Sequence, residues 1–210
     1  MRRTLAIGVG LGLVALVVLG AVATRLGVLA PLPRPDGPWA WVATRAAGVT
    51  ALVALWLDVM VGLAMSTGAL DRLIARARSL ELHQALGRMA LGFTAGHVAL
   101  LLLDGAVRFD ALDVLVPGMA DYRPVATGAG IVAAYLAVVV HVSFGLRGWL
   151  GPRTWRRLHG LAFVALVGAL GHGLVAGSDT SAPAMRTFYT ALAAGVAALS
   201  TVRIMRWAHK

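Results

Sequence analysis

Five histidines stand in or at the ends of apolar stretches of this sequence, His83, His97, His141, His159 and His172, and a sixth, His209, lies near the last residue. Ionisable side chains at membrane depth are costly and default to a functional reading. Neutral imidazole is a common ligand for metal ions and for haem iron. His83 and His97 are 14 residues apart, almost four helical turns, so both rings leave a helix on nearly one side with about 21 Å of rise between them. His159 and His172 are 13 residues apart, about 19.5 Å of rise. Two helices running the same way would set His83 level with His159 and His97 level with His172. Two haems stacked across a bilayer, each held by one imidazole from each helix, use all four.

For any single histidine the competing reading is a hydrogen-bonded packing residue, and the paired depths favour ligation for the four together. His141 has no partner at a fixed spacing; packing is the expected role, with a substitute-ligand or proton-path role as the alternative. At about 100° per residue the rings of the first pair diverge by roughly 40° and those of the second by roughly 140°. A straight helix does not aim both His159 and His172 at one neighbour; Gly168, Gly171 and Gly173 allow a local distortion there, and also let a bulky macrocycle approach the backbone closely.

Other chemically capable residues are fewer. Asp58 sits in an apolar run and is expected to be neutral, paired with an arginine, or beside a haem propionate or proton path. Arg88 is a candidate for a haem-propionate contact, with interfacial snorkelling the alternative, and Arg123 a candidate to hold an outer propionate or an anionic acceptor. Trp39, Trp41, Trp149, Trp155 and Trp207 fall at predicted helix ends, where aromatic belts form. Met60, Met65 and Met89 read as core packing. There is no cysteine, which excludes disulfides, thiolate catalysis and iron–sulfur clusters.

The elements that must position these residues are apolar helices. Hydrophobic residues make up 59% of the chain and charged ones 13%, too little polar surface to face water all round. Apolar runs at 5–29, 40–66, 82–103, 126–149, 157–177 and 184–206 predict an all-α bundle of six transmembrane helices in a single domain, residues 1–210. The first run follows Arg2 and Arg3 but is too long for a signal peptide, so a retained helix is expected. Thirteen of the 19 basic residues lie on one side of this arrangement, which places both termini in the cytoplasm by the positive-inside rule. Six of the nine acidic residues, Asp36, Asp104, Asp110, Asp113, Asp121 and Asp179, lie on the other side. The formal charge of +10 therefore reflects topology and lipid, and no basic stripe suited to nucleic acid is present. Four prolines between 31 and 38 predict an extended external turn, and the loop 104–124 a short amphipathic segment on the outer membrane face.

The sequence resembles the ferric reductase-like transmembrane domain family, whose haem-bearing core is shared by ferric reductases and NADPH oxidases. The resemblance lies in Leu82-His83-Gln84-Ala85-Leu86-Gly87 with His97, in Ala111-Leu112-Asp113-Val114-Leu115-Val116-Pro117 and Asp121-Tyr122-Arg123-Pro124, in Trp155-Arg156-Arg157-Leu158-His159-Gly160, and in Gly171-His172-Gly173-Leu174 followed by Gly177-Ser178-Asp179-Thr180. It covers about residues 40–190, and the histidine spacings are its specific part. It looks like the stand-alone bacterial form, similar to the membrane haem subunit of bacterial methionine sulfoxide reductase. The resemblance implies a b-type cytochrome of the bacterial cytoplasmic (inner) membrane, with His83, His97, His159 and His172 as axial ligands of two haems b. Larger relatives carry a flavin and nicotinamide domain after the last helix. This sequence ends at Lys210 and has no Gly-x-Gly-x-x-Gly turn after a strand. A separate flavoprotein reductase or a membrane quinol is thus the expected donor, an external acceptor such as ferric iron or a partner enzyme receives the electrons, and the chain is an oxidoreductase component. The alternatives from the residues alone are a haem-free proton or metal transporter and a membrane anchor for a partner reductase.

Overall fold

The structure, a computed structural model, describes residue 22 and residues 25–27, 39–71, 73–105 and 107–208. The chain is all-helical there: α1 (Trp39–Thr67), α2 (Arg76–Leu103), a short α3 (Ala111–Leu115), α4 (Pro124–Gly145), α5 (Arg147–Ala176) and α6 (Pro183–Ala208). The five long helices are each long and apolar enough to cross a bilayer, which makes this a multi-pass membrane protein. The run at 5–29 and the proline-rich turn at 30–38 lie outside the described residues, apart from Val22 and 25–27.

Local chemistry sets the helix ends. Gly68 follows α1 with φ 69°, a left-handed value that costs an L side chain, and Ala69 N–H reaches back to Ala64 O at 3.0 Å. The long α5 carries a break at its start: Gly151 has φ 73° and ψ 160°, and Pro152 opens the continuous part, the position where a missing N–H costs nothing. The gap predicted at 150–156 is therefore helical on both sides of this one kink.

Two antiparallel hairpins result, α2 packed along α1 and α5 packed along α4. Leu52, Val59 and Leu63 of α1 meet Leu166 of α5 and Tyr189 and Leu192 of α6 in the main core, where Leu166 and Leu63 are almost wholly enclosed. Trp56 Nε1–H donates to Leu192 O at 2.8 Å, and a Cβ on Gly195 would lie 2.7 Å from the Trp56 ring, so α6 approaches α1 over a glycine. Leu57, Phe93, Val132, Val138, Val164 and Val167 point outward, apolar on the outer face as lipid-facing helices are.

The loop after α2 departs from the surface-lying segment expected of it. Asp110 caps α3, accepting from Leu112 N–H at 2.7 Å and Asp113 N–H at 3.0 Å, while Asp113 Oδ2 accepts from Asp110 N–H at 2.8 Å. Arg25 pairs with both carboxylates. Phe109, Val114 and Ala120 are buried against Val98, Leu101 and Leu102, so the apolar face of this loop caps the bundle instead of lying on a membrane surface.

Candidate functional site

The bundle has a basic end, marked by Arg76, Arg78, Arg147, Arg153, Arg156 and Arg157, and an acidic end, marked by Asp104, Asp110, Asp113, Asp121 and Asp179. Both α2 and α5 run from the first to the second. The two helices bring their histidines together in pairs. The ring centroids of His83 and His159 are 5.9 Å apart, at the basic end, and those of His97 and His172 are 6.3 Å apart, at the acidic end. The ring planes cross at 79° and 78°.

Three of the four rings are anchored through Nδ1. That of His97 is 2.8 Å from Thr44 O, that of His172 is 2.8 Å from Ala126 O, and that of His83 is 3.1 Å from Asp58 O. Each of these carbonyls is followed four residues later by a glycine, one turn along the same face: Gly48, Gly130 and Gly62. A Cβ on Gly130 would lie 2.6 Å from His172 Nδ1, one on Gly48 would lie 2.9 Å from His97 Nδ1, and one on Gly62 would lie 3.2 Å from His83 Cε1. The missing side chains make the grooves in which the rings rest. With Nδ1 protonated and donating to a carbonyl, Nε2 holds its lone pair, the tautomer a metal ligand needs.

His159 differs. Its Nδ1 is buried and has no hydrogen-bond partner among the described residues, and its ring stacks on Trp155 at 5.1 Å with an interplanar angle of 25°. Trp155, placed in an aromatic belt by its sequence position, instead contributes to the basic-end pair. The angular mismatch between His159 and His172 is taken up by side chains, since no non-helical residue lies between them; the one kink, at Gly151, precedes both. The glycines around His172 thus permit close approach, not distortion: a Cβ on Gly173 would lie 2.5 Å from Tyr189 Oη, and one on Gly168 3.2 Å from Ala133 Cβ.

A cavity of about 760 Å³ surrounds the acidic-end pair, within the range of small-molecule and cofactor sites. Its walls are mostly apolar, with Phe109, Val114 and Leu115 of the capping loop on one side. The polar groups that converge on it include Arg45, Asp179 and Tyr122. Arg45 pairs with Asp179 and lies 5.7 Å from the Trp41 ring. Arg123 does not line this cavity. It adopts the left-handed region at φ 43°, donates to Val175 O and covers the Tyr122 ring, which ties the loop to the end of α5. Arg88 and His141 are exposed and have no partner among the described residues. Asp58 pairs with no arginine among the described residues; its carboxylate sits 2.7 Å from His83 Nδ1.

Comparison with known protein families, with curated proteins and with solved structures finds no match.

Sequence reasoning reached the four histidines but missed their supports. One signal was present: Thr44 and Asp58 are 14 residues apart, the same interval as His97 and His83, and each is followed by a glycine at the fourth position. Two imidazoles facing at about 6 Å suit a metal ion bound to both. Two metal–imidazole bonds of about 2.0–2.1 Å each, plus the half-width of each ring, give a centroid separation of roughly 6 Å. Crossed ring planes are compatible, because each ring can turn about its own metal–nitrogen axis.

Proposed function

We propose that this protein is a b-type cytochrome that carries electrons across a bacterial cytoplasmic membrane through two haems. His83 and His159 would hold one haem at the basic end, and His97 and His172 the other at the acidic end. The reading rests above all on the two histidine pairs, whose separations of 5.9 and 6.3 Å match what bis-imidazole ligation requires. The chemistry of the donor set supports haem over a bare ion. A protein-bound metal ion ordinarily takes about four protein ligands in a closed site, and a haem iron takes two. No group of three or more His, Cys, Asp or Glu suited to an ion occurs among the described residues, which counts against the haem-free metal pathway.

A haem iron held between two imidazoles supplies a reversible one-electron carrier. The chain's own part is placement and exclusion of water. Thr44 O and Ala126 O orient the acidic-end imidazoles, and Gly48 and Gly130 clear the space for them. The apolar cap of Phe109 and Val114 lines one side of the cavity, and Arg45, paired with Asp179, is the guanidinium facing it, suited to a propionate. In this reading the chain spans the membrane six times with both termini cytoplasmic, so the basic end faces a cytoplasmic flavoprotein or a quinol donor. The acidic end then faces an external acceptor such as ferric iron or a partner enzyme, and the chain is the membrane component of an oxidoreductase.

The test is a reduced-minus-oxidised spectrum with a pyridine haemochrome assay on purified wild type, His97→Ala and His172→Ala. The expected result is about two haems b per chain in the wild type and about one in each variant, since each removes one ligand of the same site. A folded wild type from haem-replete cells that carries no haem overturns the reading.

A further inference from the structure

The two histidine pairs are not held alike. At the acidic end the Nδ1 atoms of both anchored rings meet, among the described residues, only backbone carbonyls, those of Thr44 and Ala126. At the basic end His83 Nδ1 faces two acceptors of Asp58 at once. The carbonyl meets it in hydrogen-bonding alignment at 3.1 Å, and the carboxylate Oδ1 is closer, at 2.7 Å, but off that line. Asp58 and His83 are both largely enclosed, with side-chain exposures of 17% and 19%. A Cβ on Gly87 would lie 3.3 Å from Asp58 Oδ2, so the groove left by Gly87, four residues after His83, seats the other carboxylate oxygen. The carboxylate is thereby held between the histidine and the helix that carries it. No cation other than the imidazole is paired with it among the described residues.

We infer that Asp58 is a positioning residue that acts through His83 to make the basic-end site the lower in reduction potential of the two. The inference rests on the haem reading proposed above. A carboxylate oxygen 2.7 Å from the distal nitrogen of a ligating imidazole, even off the N–H line, polarises the ring by its charge and leaves more electron density on Nε2. A more basic, more anionic ligand stabilises the oxidised, more positive state of a metal bound to it, and second-neighbour hydrogen bonds and burial are recognised levers on such potentials. A neutral carbonyl does this less, and His159 has no such anchor among the described residues. One electron arriving from the donor at the basic end then moves downhill to the acidic end, leaving the first site oxidised and the second reduced by one electron.

The experiment is an equilibrium redox titration of purified wild type, Asp58→Asn and Asp58→Glu at a single pH, with the haem count of each measured beside it. Asn keeps the size and removes the charge; Glu keeps the charge. The expected wild-type result is two midpoint potentials. In D58N the lower one rises by about tenfold in equilibrium constant, 59 mV for a one-electron couple, and the upper one stays in place. D58E returns the lower potential most of the way to the wild-type value. Two haems per chain with both D58N potentials unchanged, or a shift confined to the upper one, overturns the inference and leaves the haem reading standing. Loss of one haem in both variants also overturns it, making Asp58 a determinant of haem retention only. A haem-free wild type fails the haem reading itself, and the haem count separates that failure from the others.

Discussion

Replacing Gly130 by alanine puts a methyl carbon 2.6 Å from His172 Nδ1 and 2.8 Å from its Cγ. Real Cβ contacts of that length are essentially never seen, and the α4 backbone is held in its helix, so the ring must move. Moving it breaks the 2.8 Å bond from Nδ1 to Ala126 O. Overpacking of this kind costs about 1–3 kcal/mol, and the lost hydrogen bond adds about 1 kcal/mol. If half or more of that cost falls on the ligand geometry, affinity at the acidic-end site drops roughly 5- to 150-fold, the equivalent of about 1–3 kcal/mol. The same logic grades a series: Gly48→Ala at 2.9 Å from His97 should cost less, and Gly62→Ala at 3.2 Å from His83 Cε1 least. Gly92→Ala, in the same α2 helix as His97, meets nothing within 4 Å and serves as the control. It should be neutral or slightly stabilising, since alanine is favoured over glycine in a helix by about 1 kcal/mol. The assay is haem per chain at limiting haem together with the thermal midpoint of each variant. Equal loading and equal midpoints for G130A and G92A would refute the claim that the missing Cβ positions the histidine.

Two further outcomes are expected. Burial works against ionisation of Asp110, but the Arg25 guanidinium and the N–H groups of Asp113 and Leu112 outweigh it and hold the carboxyl below its ordinary value. A lowered folded pKa contributes stability above the unfolded value, about 3.9, and loses it as pH falls through the folded value. The difference in thermal midpoint between wild type and Asp110→Asn should therefore be constant from about pH 7 to 5 and close below about pH 4; a gap unchanged at pH 3 contradicts the stabilising pairing of the Asp110 carboxylate with Arg25. His141→Ala should retain the wild-type haem count and spectrum, because His141 is exposed on α4 and touches neither pair. A lost haem in that variant would make His141 a ligand.

Much of the architecture was readable because hydropathy and length act locally. Twenty or so apolar residues in a row must form a helix in lipid, whatever they pack against, and the five described long helices fall on the predicted runs. The paired depths of the histidines were readable for the same reason, since helical rise depends only on residue count. Azimuth constrains a side chain less than depth does: a ring at the end of two rotatable bonds sweeps a wide arc, so the 13-residue interval from His159 to His172 does not prevent pairing. The loop at 104–124 was misread because its alternation of aspartates and apolar residues looks the same whether the apolar face meets lipid or the end of a bundle. Asp58, readable from sequence as a neutral acid, an arginine partner or a neighbour of a propionate or proton path, sits against His83, and Arg123 ties the loop to the end of α5; sequence distance says nothing about which side chains share a groove.

By itself, then, the sequence determined an all-helical membrane protein whose four histidines lie at two depths, because composition and helical rise are properties of each segment alone. Only the tertiary structure decided that α2 and α5 face one another, that glycines on α1 and α4 clear the rings, and that one histidine meets a carboxylate where the others do not. Those are contacts between helices, and the packing angle and azimuth that create them are set by every neighbour at once.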